Sequence, residues 1–117
     1  PQGLAFDSNG RLYVAINNPA GFADAVLIYN PPLTGNIAPA NALCGPNTGI
    51  NNPSGIAINS SNTLFVINSA FGGAAGYETA FAPNNIGGGI ACTGGFPNAT
   101  IAGANTSLLN PAGVAAR

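Results

Sequence analysis

The chain has 117 residues, a formal net charge of −1 and only 4% charged residues, where an ordinary soluble domain carries about 25%. Two basic residues and no His cannot neutralise a phosphate track or an anionic lipid surface, so nucleic acid and acidic membrane are excluded as partners. A hydrophobic content of 46% rules out disorder through low hydrophobicity, yet the longest aliphatic or aromatic run, residues 25–29, is too short to insert into a bilayer as a helix.

Along the chain, short apolar stretches alternate with Gly, Pro, Asn and Ser punctuation, and none of ten or more residues has a helical period. Pro1-Gln2-Gly3-Leu4-Ala5-Phe6-Asp7 predicts a strand A over residues 3–7. Ser8-Asn9-Gly10 supplies a tight turn, since Asn-Gly tolerates positive φ. Strand B follows over 12–16, strand C over about 25–30 and strand D over about 38–44. The pattern then begins again. Pro53-Ser54-Gly55-Ile56-Ala57-Ile58-Asn59 repeats the opening, and Pro111-Ala112-Gly113-Val114-Ala115-Ala116-Arg117 repeats it a third time.

Further positions stay in register. Leu12-Tyr13-Val14 matches Leu64-Phe65-Val66, Tyr29 and Pro31 match Phe81 and Pro83, and Gly45, Asn47, Thr48 and Pro53 match Gly103, Asn105, Thr106 and Pro111. The second unit therefore has strands over 55–59, 64–68, 77–82 and 98–102. It is longer than the first by an insertion within about 84–96. Such periodicity decides the architecture before any single residue does: one four-stranded antiparallel unit over 1–52, a second over 53–110, and the first strand of a further unit over 111–117.

The pattern P-x-G-[LIV]-A-[FI]-[DN]-S-x-[GN]-x-L-[YF]-V, then [YF]-x-P, then G-x-N-T-x-[IL]-x-N-P, resembles the NHL-type β-propeller repeat, most closely its secreted bacterial versions. The resemblance covers essentially the whole chain. It implies an all-β fold of propeller blades, usually six to a ring. It carries little about activity, because this repeat serves many roles. The long Gly- and Ala-rich B–C loops and the second C–D insertion depart from the family pattern.

A blade alternates apolar residues on both faces and needs a neighbour on each. Leu4, Phe6, Leu12 and Val14, with Ile56, Ile58, Leu64 and Val66, are such residues. Two blades share one interface, so their outer faces call for further blades, in the same chain or in identical subunits. The start at Pro1 reads as a mature, processed chain or an excised segment, and the renewed strand A at 111–117 reads as a segment of a longer polypeptide or the subunit of an open array; a homotrimeric ring is the third resolution.

Five sets of residues are candidates for chemistry. Asp7-Ser8-Asn9-Gly10 begins like a calcium loop but lacks the further oxygen ligand and the bidentate Glu that such a loop needs, so it reads as a hairpin turn. Asp7, Asn59 and Arg117 end successive A strands near one rim of a central channel, where they are either substrate contacts or solvated strand ends. Without His, and with three carboxylates in all, they predict no metal and no cofactor. The B–C and D–A connections share one face carrying Asn17, Phe22, Asp24, Phe71, Asn47, Thr48, Asn105 and Thr106. This amide-rich, aromatic-bearing surface suits protein or glycan, or else is ordinary loop chemistry. Cys44 and Cys92 are the one candidate disulfide; the register places them at opposite ends of the sheets, so a bridge requires the insertion to fold back across the outer edge. Asn59, Asn98 and Asn105 open glycosylation sequons, which this composition yields by chance.

Function is then expected in one of three classes. The first is a non-enzymatic extracellular propeller segment for binding, scaffolding or surface assembly, including a filament. The second is a fragment of a propeller lyase or hydrolase whose catalytic residues lie in other blades. The third is a two-blade trimeric lectin, weakened by the lack of Trp. General acid–base groups are so few that no catalytic residue is expected here.

Overall fold

The structure, a computed structural model, describes all residues except 18–23, 70–76, 82–85, 87–91, 93–94 and 109–110, with the backbone alone for 77–80 and 104. Strands β1 (Gly3–Phe6), β2 (Leu12–Ile16), β3 (Ala25–Tyr29) and β4 (Asn41–Cys44) form one four-stranded antiparallel sheet in chain order. Strands β5 (Pro53–Ile58), β6 (Leu64–Asn68), β7 (Tyr77–Phe81) and β8 (Ala99–Ile101) form a second of the same topology. Two 3-10 turns, Pro46–Thr48 and Ala104–Thr106, occupy equivalent places after β4 and β8, and no α-helix occurs among the described residues.

The β1–β2 and β5–β6 hairpins are built alike. Asp7 Oδ1 accepts the amides of Asn9 and Arg11, each at 2.9 Å, and Asn59 Oδ1 accepts those of Ser61 and Thr63 at 3.0 and 2.9 Å. A short side chain that folds back onto the next amides closes the turn. Gly10 (φ 75) and Asn62 (φ 60) hold the same left-handed position, which only Gly and Asn adopt readily. The strands otherwise run where the repeat predicts, most with trimmed ends, while β5 begins two residues earlier than expected, at Pro53. The fourth strand starts at Asn41 rather than 38, because Pro39 has no N–H to offer the ladder.

Packing follows the alternation. Tyr13, Ala15, Val26, Ile28 and Leu43 point from the first sheet into a common core, met by Ile56, Leu64, Val66 and Phe81 from the second. In the repeat register the latter correspond to Leu4, Leu12, Val14 and Tyr29, which lie on the opposite face of the first sheet. The sheets therefore stack with the same face forward and not face to face as mirror partners. Each fully buried aliphatic or aromatic side chain in such a core is worth about 1.5–3 kcal/mol.

The closest approach is between backbones. A Cβ built on Gly3 would stand 3.0 Å from the Ile56 nitrogen and 3.2 Å from Gly55 Cα, and one on Gly55 would stand 3.2 Å from Gly113 Cα. The repeat thus stacks Gly3 on Gly55 and Gly55 on Gly113. Residues 111–117, expected as a further strand, lie along β5 but join no ladder. The hydroxyls of Ser54 and Ser69 donate to the Pro111 carbonyl, the latter at 3.1 Å, and the Ser60 amide donates to the Arg117 carbonyl at 3.2 Å. The reason is topological: a first strand becomes a ladder only when a second pairs with it.

Cys44 and Cys92 are bonded, with Cα atoms 4.6 Å apart. Cys92 packs against Ala25, Ala42, Cys44, Ile16 and Leu27, on the face of the first sheet turned away from the second. It comes from the segment joining β7 to β8, so the second unit grips the first from behind as well as in front.

Two outcomes follow from this packing. Gly3→Ala should wedge the two backbones apart and lower stability by about 1–3 kcal/mol, read as a shifted urea midpoint; a midpoint equal to wild type would refute the close contact. Cys92→Ser, which opens a loop with a sequence separation of 48, should cost about 2–4 kcal/mol, seen by comparing oxidised wild type with the variant.

Candidate functional site

The acidic turn residue Asp7 is buried, and its carboxylate is fully enclosed. Its Oδ2 receives Arg11 Nε at 2.6 Å and the Tyr13 hydroxyl at 3.3 Å, while Oδ1 holds the two turn amides. Arg11 also lies over the Tyr13 ring, 5.7 Å from its centre, within cation–π range. Burial alone would raise the Asp7 pKa, but the Arg11 amide and guanidinium and the Asn9 amide outweigh it and hold the carboxyl below its usual value. Burial pushes the Tyr13 phenol up, so it remains a neutral donor. Every Asp7 oxygen contact is internal to the hairpin. The arrangement locks a turn, as read from the absence of a calcium pattern.

Asp7 and Asn59 open neighbouring turns at one end of β1 and β5, and the Arg117 carbonyl lies beside the second of them. There they join the units to one another. The Ser8 amide donates to Asn62 Oδ1 at 3.0 Å, Asn62 Nδ2 donates to Ser8 Oγ at 2.7 Å, and the equivalent Ser60 amide meets the Arg117 carbonyl. Sequence reasoning passed over Ser8 and Asn62 as turn residues. The signal available was the substitution of Asn62 at the position of Gly10, which adds a side chain able to reach the preceding turn.

At the opposite end, the loop-face residues separate. Asn17 Nδ2 donates to Asn52 Oδ1, and Asp24 Oδ2 accepts the Asn52 amide at 2.6 Å. The fully buried Asn68 accepts the Asn51 amide at 2.9 Å, and the Ser69 amide donates to the Asn52 carbonyl at 3.0 Å. Asn17 and Asp24 therefore stitch the first unit to the linker entering the second. Thr48 is wholly buried. Its hydroxyl donates to the Gly45 carbonyl at 2.8 Å and accepts the Ile50 amide at 3.1 Å. Thr106 repeats this with the Gly103 carbonyl and the Leu108 amide, at 2.8 and 3.3 Å. The G-x-N-T motif forms a turn lock in both units, and burial removes Thr48, though not Thr106, from the surface. Asn47 and Asn105 are exposed. Phe22 and Phe71 lie outside the described residues.

Among the described residues no buried side-chain nitrogen or oxygen lacks a partner, and no three of His, Cys, Asp and Glu come together. Asp7, Asn17, Asp24, Thr48, Asn59 and Thr106 are committed to turns and seams, while Asn47 and Asn105 remain exposed. What the described surface offers instead is apolar: a shallow groove of about 380 Å³ on the outward face of the first sheet, lined by Pro1, Leu4, Leu12, Val14, Tyr29, Leu33, Gly35 and Ile37. Leu4 is 63% and Phe6 60% exposed. No protein-family model matches the chain, and no curated protein is significantly similar to it.

The Asp7 lock has a definite pH signature. A carboxyl whose native pKa is depressed contributes stability that is complete above its unfolded value, about 3.9, and that disappears as pH falls through the native value. Asp7→Asn keeps an Oδ1 for the turn, as Asn59 does, and removes the titration. Urea midpoints taken from pH 6 down to pH 2 should fall more steeply for wild type than for Asp7→Asn below about pH 4; parallel curves would refute the role.

Proposed function

We propose that the chain is a non-enzymatic, extracellular β-propeller segment, built of NHL-type blades, that works as a binding, scaffold or surface-assembly module. The single observation behind this reading is the division of its resources. Among the described residues Asp7, Asp24, Asn17 and Thr48 are consumed internally, and the surface asset is a sheet face with Leu4 and Phe6 exposed and Leu12, Val14 and Tyr29 half-buried. Apolar surfaces of this kind on soluble chains mark interaction sites.

Several features support the propeller element of the reading. Two units of identical topology stack same-face-forward, their innermost strands touch at equivalent glycines, and a third copy of the strand-A motif lies against the second. Repetition about an axis is how antiparallel sheets of this size protect their faces. The Cys44–Cys92 bond supports an oxidising, extracellular setting. Sparse charge supports assembly, since a net charge of −1 offers almost no mutual repulsion. The lyase or hydrolase reading finds no comparable support: Asp7 closes a hairpin and Asp24 binds a linker amide.

Light scattering on the oxidised chain across a hundredfold concentration range, followed by electron microscopy, tests the assembly reading. Discrete rings or filaments, growing with concentration and insensitive to salt, are expected. A chain that stays monomeric throughout would overturn it.

A further inference from the structure

The internal repeat shows what covers each face of a unit. In the second unit, Ile56, Leu64, Val66 and Phe81 are 7%, 0%, 0% and 0% exposed, because the Tyr13, Ala15 and Ile28 face of the first unit lies on them. Their equivalents in the first unit are Leu4, Leu12, Val14 and Tyr29, which line the open groove. The same residue pattern is thus buried once and, in the first unit, left exposed at Leu4 and half-buried at Leu12, Val14 and Tyr29. The covering face exists a second time too, although Ala57 and Ile67 on it are already only 9% and 5% exposed, so it must be uncovered before it can seat on another copy. Ala57, Phe65 and Ile67 stand on the second sheet where Ala5, Tyr13 and Ala15 stand on the first.

We infer that Leu4, Phe6, Leu12, Val14 and Tyr29 are the docking surface for a second copy of this chain, which seats the Ala57–Phe65–Ile67 face of its second sheet there. The inference rests on the assembly reading above and assigns its contact surface. The interface continues the existing one: the second copy meets the first sheet as the first sheet meets the second, head to tail. The bonded Cys92 bounds the patch, since it already covers the Ala25–Ala42–Cys44 end of the same face.

The docked copy must free the place that its residues 111–117 hold beside β5. That place is equivalent to the one β5 takes beside β1, with Gly113 on Gly55 as Gly55 is on Gly3. β1 keeps a four-residue ladder with β2, whereas 111–117 has no ladder. The segment is therefore the one that yields, and β1 of the receiving chain takes its place beside β5 of the docked copy.

The test places the photoreactive residue p-benzoylphenylalanine at position 6 of the 117-residue chain, irradiates the assembled protein and maps the cross-link by mass spectrometry. Leu4→Asp and Phe6→Asp are measured alongside by sedimentation; both positions are exposed, and unchanged melting curves verify the fold. A covalent dimer joining position 6 to β5 or β6 of the other copy is expected, with association weakened about tenfold or more in both Asp variants. A cross-link from position 6 to β1 or β2 of the other copy means that like faces meet, and overturns the head-to-tail contact, as does the lack of any cross-linked dimer. Assembly unaffected by either Asp variant overturns this surface while leaving the assembly reading intact. A wild-type chain that never assembles overturns both.

Discussion

Everything in this fold depends on two backbones being able to touch. Gly3 and Gly55 bring β1 and β5 so near that a Cβ on Gly3 would press to within 3.0–3.2 Å of main-chain atoms, which must give way to admit it. That contact sets the spacing between the sheets near their inner edges. With the spacing fixed, the alternation along each strand decides the rest: Tyr13, Val26, Ile28 and Leu43 reach Leu64, Val66 and Phe81. A larger residue at either glycine would separate the inner strands and deprive these side chains of the dense packing that protein interiors require.

Polar groups answer a second constraint, which is that a nearly uncharged chain has few ways to define its ends. Asn, Asp, Ser and Thr side chains take that role by binding local amides and carbonyls. Asp7 and Asn59 close hairpins, and Thr48 and Thr106 lock the turns after β4 and β8. At the junction of the units the same chemistry becomes long-range. Asn17, Asp24 and Asn68 all bind the short linker at Asn51–Asn52. Buried hydrogen bonds of this kind add modest net stability, but leaving one partner unpaired costs about 1–3 kcal/mol. They therefore fix the angle at which one unit meets the next more firmly than they strengthen it.

Repetition made most of the architecture legible in the sequence. Strand order, antiparallel pairing and the turn positions follow from the recurring P-x-G motif and from Ser8-Asn9-Gly10 and its counterpart. Residues 12–16 and 64–68 came out as strands with the predicted ends. The sites were less legible, because residue type does not reveal which partner a loop side chain finds. Asn17, Asp24 and Thr48 have the chemistry of a binding surface, yet Asn17 and Asp24 are taken up by the Asn52 segment, which no local pattern identifies, and Thr48 by its own turn. The Cys44–Cys92 bond was open for the same reason: the path of an inserted segment depends on tertiary contacts, and only the fold brings Cys92 behind the first sheet. At 111–117 the motif indicated a strand, but ladder formation needs a partner strand as well as a sequence.

Same-face-forward stacking has a consequence that mirror packing would not. Two sheets that met by like faces would bury both and leave a symmetric, finished pair. Two sheets stacked in one direction always leave two unlike faces, and each is complementary to the other. Here one is the Leu4–Leu12–Val14 groove, and the other is the Ala57–Phe65–Ile67 face with 111–117 along its inner strand. Adding a unit removes neither face; it only moves one of them. Closure into a ring is the single arrangement that removes both, and a stack that misses closure extends instead. A chain with a net charge of −1 carries no electrostatic brake on either outcome. In the assembly proposed above, the rotation from one unit to the next, which the Asn51–Asn52 seam helps to hold, would decide between them.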